Sequence, residues 1–301
     1  MGRLGRGDYA RLPTERPNPA AKGLDRLDAL SLARLINAED ARIAAAVRRQ
    51  TPELARAINR IASALRLRGR LLFVGAGTSG RLGVLEAAEC PPTFGTRPWQ
   101  IQAAIAGGRG AMFRAKEGAE DDEDQGRAAV RGFSGGEVVV GIAASGVTPY
   151  VRGALAAARA AGCDTILVTC NGNPHKNPAA LTIAPDVGPE IVAGSTRLKS
   201  ATACKLVLNT LTTGAMVRLG KVYDQWMVDL KMTNHKLRLR AARIVGELAR
   251  VSPLKAEGLL RASGGSVKLA VVMGRLALSR PKATARLSKA GGNLRKALAG
   301  K

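Results

Sequence analysis

Between residues 24 and 67 apolar side chains return every three or four positions: Leu32, Leu35 and Ile36, then Ile43 and Val47, then Leu54, Ile58, Ile61 and Leu65. That spacing lines one face of a helix. The pattern breaks near Thr51-Pro52, where Pro52 suits the first turn of a new helix and Thr51 its cap, so the segment predicts two or three helices. The rhythm then changes. Short apolar segments at residues 71–74, 101–105, 138–143, 165–169 and 181–183 are bounded by turn residues, and most lead into a helical stretch. Alternation of this kind predicts class α/β: a parallel sheet covered on both faces, with its ligand beyond the carboxyl ends of the strands. A long helix is predicted over residues 197–219, opened by a hydroxyl cap in Gly194-Ser195-Thr196.

The two ends of the chain read differently. The first 20 residues are rich in Arg, Pro and Gly and read as an irregular arm. Near the other end Ala262-Ser263-Gly264-Gly265-Ser266-Val267-Lys268-Leu269-Ala270 recurs as Lys289-Ala290-Gly291-Gly292-Asn293-Leu294-Arg295-Lys296-Ala297. Repeated Gly-Gly-polar turns that open short helices predict a small all-α domain, although two copies are too few for a solenoid. The expected parts are an arm and helices over residues 1–50, an α/β domain over 51–230, and the helical domain over 238–301.

Composition adds limits. With 301 residues and 46% apolar side chains the chain can bury a large core. It shows neither a secretory leader nor an apolar run of membrane-spanning length, so a soluble, cytoplasmic protein with no membrane partner is expected. The net charge of +24 is unevenly placed: residues 1–70 carry 15 basic and 7 acidic side chains, residues 71–230 carry 15 and 14, and residues 231–301 carry 17 and 2. The basicity lies in the flanks. Aromatic side chains for stacking on bases are scarce, at three Tyr, two Trp and four Phe, so nucleic acid is an unlikely partner on composition. Cys90, Cys163, Cys170 and Cys204 lack metal or redox spacing and read as reduced, buried thiols. With only His175 and His235 in addition, no metal site is expected, and His175 reads as part of a surface loop.

Three loops share one chemistry: Gly77-Thr78-Ser79-Gly80, Ala144-Ser145-Gly146-Val147-Thr148 and Gly194-Ser195-Thr196-Arg197. Each follows an extended segment and precedes a helix, so their amides and hydroxyls can converge on one phosphate. Any one alone would be an ordinary capped helix start. Gly75-Ala76-Gly77-Thr78-Ser79-Gly80 also fits the dinucleotide fingerprint, but the second strand ends in Ile105-Ala106-Gly107-Gly108-Arg109, without the carboxylate that would take a ribose. The nicotinamide reading therefore rests on a weak match. Pro91 predicts that the helix after the first loop stops with Glu89 in its last turn, facing the negative end of the helix dipole, a setting suited to proton transfer. In the acidic run 117–124, one inward-facing glutamate could serve as a second acid-base group.

At this point the chain resembles the N-acetylmuramic acid 6-phosphate etherases, members of the sugar isomerase (SIS) superfamily and relatives of the glucokinase regulatory protein. The resemblance runs from about Thr14 to the C-terminus. It is carried by Thr14-Glu15-Arg16-Pro17-Asn18-Pro19, by the glycine loop through Glu89-Cys90-Pro91-Pro92-Thr93-Phe94-Gly95, by Glu117-Gly118-Ala119-Glu120-Asp121, by the block 138–146, and by Lys205-Leu206-Val207-Leu208-Asn209. It implies a three-layer αβα SIS fold with N-terminal helices and a small all-α C-terminal domain. It also implies a lyase that removes D-lactate from N-acetylmuramic acid 6-phosphate in cell-wall sugar recycling, without a metal or nicotinamide, and a homodimer that binds a small sugar phosphate. By motif the catalytic glutamates are Glu89, the proton donor to lactate, and Glu120, which takes the C2 proton; the two are expected to share a cleft. Thr78, Ser79, Ser145 and Gly146 are implied to hold the phosphate, with Ser195, Thr196 and Lys199 finishing the pocket. The chain departs from many relatives at Val147, where they carry arginine, and over residues 198–205. A phosphosugar-binding regulator without turnover is the main alternative; a phosphosugar isomerase is the next.

Overall fold

The computed structural model describes residues 12–299, apart from Asn173, His175, Lys176 and Thr233. The surface-loop reading of His175 therefore lies outside the described residues. Three helices come first: α1 (Ala29–Asp40), α2 (Ile43–Arg48) and α3 (Thr51–Arg66). Asp28 caps α1 by accepting the Ser31 N–H at 2.7 Å. The expectation for Thr51 is corrected: it is the first helical residue and not the cap, and its hydroxyl donates back to the Arg48 carbonyl at 2.6 Å. Pro52, four residues after Arg48, has no N–H to offer that carbonyl.

The alternating part follows as β1 (Leu71–Gly75), α4 (Gly77–Phe94), β2 (Ile101–Ile105), α5 (Glu123–Ala129), β3 (Val138–Ile142), α6 (Pro149–Ala160), β4 (Asp164–Val168) and β5 (Leu181–Ile183), and then α7 (Lys199–Arg218). The strands form one parallel sheet in the order β2-β1-β3-β4-β5. Every residue of β1 and β3 is buried, as expected for central strands covered on both faces. On one face Leu72, Val74, Val139 and Leu167 pack with Tyr150, Val151, Ala154 and Leu155 of α6. On the other, Gly83 of α4 closes on Phe73 and Ile142, where a side chain would collide at 2.9 Å.

Two compact units divide the chain: Met1–Ala87 with Trp99–Thr212, and Ala88–Pro98 with Thr213–Lys301. The first holds the sheet. The second contains the hairpin β6 (Val222–Tyr223) and β7 (Trp226–Met227), followed by α8 (His235–Ala249), α9 (Pro253–Ala262), α10 (Val267–Leu276), α11 (Arg280–Lys289) and α12 (Leu294–Ala299). Its core includes Leu237, Ile244, Val245, Leu260, Val271 and Val272. The repeated motif is one device used twice. Gly264-Gly265 and Gly291-Gly292 all have positive φ, which ends one helix, and Ser266 and Asn293 then accept backbone N–H groups that open the next.

One expectation fails in an informative way: α4 does not stop at Glu89. It runs through Pro91 and Pro92 to Phe94 and closes only at Gly95, at φ 66°, whose N–H returns to the Pro91 carbonyl at 3.0 Å. Cys90 and Phe94 are buried, and burying that last turn outweighs the bias of a residue before proline against helical geometry.

Candidate active site

In the sheet order the chain leaves β1 toward β2 and returns to the other side of β1 with β3. Open α/β sheets bind ligands at such a reversal, beyond the carboxyl ends of the two central strands. A cavity of about 430 Å³ lies there. One part of its wall is Gly77, Thr78 and Ser79, the first turn of α4, and the next is Ala144, Ser145, Val147 and Thr148, the loop into α6. Gly194 and Thr196 add a third hydroxyl-bearing loop.

Local chemistry fixes each loop. Gly80 admits no side chain, since a Cβ would sit 2.6 Å from both the Gly75 carbonyl and Ile105. The α4 backbone is thereby pressed onto β1, and its first amides open into the cavity. Gly146, at φ 75°, donates its N–H to the Ala143 carbonyl at 2.9 Å and makes the sharp turn after β3. Asn171 braces that turn by donating to the Ser145 carbonyl at 2.9 Å. At α7 the cap is not Ser195 or Thr196. The buried carboxylate of Glu190 accepts the Lys199 and Ser200 N–H groups at 3.0 and 2.9 Å, so Thr196 is spared for the cavity.

Carboxylates form the remaining wall. Glu120 and Asp121 stand on a 3-10 turn, Ala119–Asp121, entered through Gly118 at φ 73°. The proton affinity of Glu120 is raised above the ordinary glutamate value, first by the protein that displaces its water and then by the charges of Asp121 and Glu117. As the base that the sequence resemblance implies, Glu120 would be protonated, and so silenced, at a higher pH than an ordinary glutamate. The acidic limb of the kcat/KM profile is therefore expected above the usual glutamate range, and Asp121→Asn, by removing a like charge, should move it to lower pH. A limb unmoved by that substitution would disconnect Glu120 from the rate.

Sequence reading did not single out Glu15 or Arg152, and both line the cavity. Glu15 is fixed by the Thr14 hydroxyl, which donates to its Oε1 at 3.1 Å, and by the Gly194 N–H, which donates to the Thr14 carbonyl at 3.0 Å. Its signal was the Thr14 to Pro19 block. Arg152 lies four residues after Thr148, the helical spacing that stacks two side chains on one face, but only the fold reveals that the face is the cavity wall.

Of the residues singled out from the sequence, Thr78, Ser79, Ser145, Thr196 and Glu120 line this cavity. Gly146 shapes a loop of it, and Ser195 precedes a wall residue without lining the cavity itself. Lys199 is elsewhere: its ammonium is buried against Glu39 Oε2 at 2.5 Å, and Asn18 Nδ2 donates to the same oxygen at 2.8 Å. Glu89 is exposed on α4 and is not among the lining residues, and the helix-end argument for it does not apply because α4 continues to Phe94.

Comparison with known proteins gives this architecture its family. The model of the glucokinase regulatory protein N-terminal SIS domain matches residues 53–159. The N-acetylmuramic acid 6-phosphate etherase of Gloeobacter violaceus is 54% identical over 271 residues, 88% of this chain and 88% of its own length. The chain belongs to the N-acetylmuramic acid 6-phosphate etherase family. A second member, from Serratia proteamaculans, is 48% identical over 290 residues, 95% of this chain and 98% of its own. The αβα layering around the parallel sheet is the SIS fold. One block of etherase resemblance now has a physical account: Lys205 of α7 donates to the buried Glu86 of α4 at 2.6 Å, and Thr212 donates to the same carboxylate at 2.5 Å, tying the two helices that flank the site. All four cysteines are buried, and no described helix is long and apolar enough to cross a membrane.

Proposed function

We infer that this protein is an N-acetylmuramic acid 6-phosphate etherase, a carbon-oxygen lyase that yields N-acetylglucosamine 6-phosphate and D-lactate. One observation carries the reading: a single sugar-sized cavity opposes anion-holding loops to a carboxylate of raised proton affinity, in a chain half identical to etherases over most of its length. Phosphate suits the α4 and α6 starts, where backbone amides and the Thr78, Ser79 and Ser145 hydroxyls supply donors without a bulky cation.

The chemistry runs on the open-chain sugar, whose C1 aldehyde acidifies the C2 proton. Glu120 removes that proton; the electron pair forms the C2–C3 double bond; the C3–O bond breaks toward the lactyl oxygen, which takes a proton from Glu89. Water then adds at C3 and a proton returns to C2, so atoms and charge balance. The role of Glu89 comes from the motif, and a homodimeric working unit from the resemblance to SIS proteins, whose pockets are commonly completed across a subunit interface. On this reading the protein acts on recycled cell-wall sugar in the cytoplasm, and no described helix is long and apolar enough to span a membrane.

Incubation with N-acetylmuramic acid 6-phosphate should release D-lactate and N-acetylglucosamine 6-phosphate in equal amounts. Tight binding without lactate would select a regulator, and an isomerised hexosamine without lactate would select an isomerase. Glu89→Gln should bind substrate and lose turnover; full activity would remove Glu89 from the mechanism.

A further inference from the structure

Arg152 is the only lysine or arginine among the described residues that line the cavity, against three carboxylates, Glu15, Glu120 and Asp121. Val147, which also faces the cavity, brings no charge. The guanidinium is aimed by one strong contact: an Nη donates to Glu123 Oε2 at 2.7 Å, while the other oxygen of that carboxylate serves Arg127. Arginine has five donors in a rigid fork, so one contact orients the group and leaves further N–H groups for a ligand. Its side chain is 24% exposed, enough to be reached and too little to wander.

On the etherase reading, which this inference deepens, the substrate carries two anions. The 6-phosphate matches the amide and hydroxyl loops at the α4 and α6 starts, whereas the lactyl carboxylate, being planar, suits a fork of paired donors. Position agrees: α6 packs on the 119–121 turn, so Arg152 belongs to the helix beside the base that acts at C2, and the lactyl ether leaves from the adjoining carbon. We propose that Arg152, oriented by Glu123, binds the lactyl carboxylate and thereby distinguishes the substrate from N-acetylglucosamine 6-phosphate, which has the phosphate but not that group. Arg152 is then a specificity residue: it recognises the leaving group and leaves product free to depart.

The test compares two ligands on Arg152→Gln. The KM for N-acetylmuramic acid 6-phosphate should rise about tenfold to a hundredfold, the range expected for a lost charged hydrogen-bond pair, while the inhibition constant of N-acetylglucosamine 6-phosphate stays within about twofold of wild type. Arg152→Lys, with charge but no fork, should fall between. Equal weakening of both ligands would assign the arginine to the phosphate or to the fold, and no weakening of either would show that it touches neither; both results overturn the proposal. Retained product binding also shows that the variant is folded. A wild-type protein that releases no D-lactate would sink the etherase reading and this proposal with it, whereas failure confined to the Arg152 variants would leave that reading standing.

Discussion

Glu120→Gln is expected to lower kcat about a hundredfold to ten-thousandfold, the usual contribution of a positioned general base. The amide keeps the shape and volume of the side chain but cannot take the C2 proton, so the loops proposed to hold the phosphate should be undisturbed. Affinity for N-acetylglucosamine 6-phosphate is therefore expected to stay near wild type while D-lactate release collapses. Product binding and steady-state lactate assays on the same preparation check both halves. A kcat within about threefold of wild type would remove Glu120 from the proton transfer, whatever its place in the cavity.

Lys199→Met should act on folding instead. Lys199 and Glu39 have side chains only 2% and 4% exposed, and their charges meet at 2.5 Å. Pairing with Lys199 is the largest influence holding the Glu39 carboxyl below its usual range, with Asn18 and Arg42 also contributing. Removing the lysine leaves the buried carboxylate to Asn18 and Arg42, at a cost of up to about 3–5 kcal/mol. Urea unfolding measures this directly, and the double variant Lys199→Met with Glu39→Leu should recover most of the loss, because two apolar side chains can fill what an ion pair filled. Unchanged stability with weakened substrate binding would instead return Lys199 to the sugar pocket, the place the sequence resemblance implied.

These two residues mark what could be read from the chain before the fold was known. The five sheet strands were legible to within a residue at their ends: the central ones because a strand covered on both faces is nearly continuously apolar, the edge strands β2 and β5 because turn residues bound their short apolar segments. The three hydroxyl loops were legible for a related reason: sharp turns and helix starts impose local choices of Gly, Ser and Thr. Effects that act across sequence were not. Glu190 displaced the expected cap at α7 from nine residues upstream of Lys199, and Glu39 captured Lys199 from 160 residues away. Pro91 was read by its local bias, yet tertiary burial of Cys90 and Phe94 carried the helix past it. Arg152 and Glu15 are polar side chains whose significance is only the wall they face, and nothing periodic in the chain announces that.

The proposed reaction begins with abstraction of the C2 proton by a group in this cavity, followed by loss of lactate from C3. Running the wild-type reaction in deuterated water and reading the N-acetylglucosamine 6-phosphate by mass and proton resonance tests that step most directly. Deuterium at C2 of the product, formed in step with D-lactate and abolished together with it in Glu120→Gln, is the predicted result. D-lactate released while the C2 proton of the sugar remains the original one would contradict it.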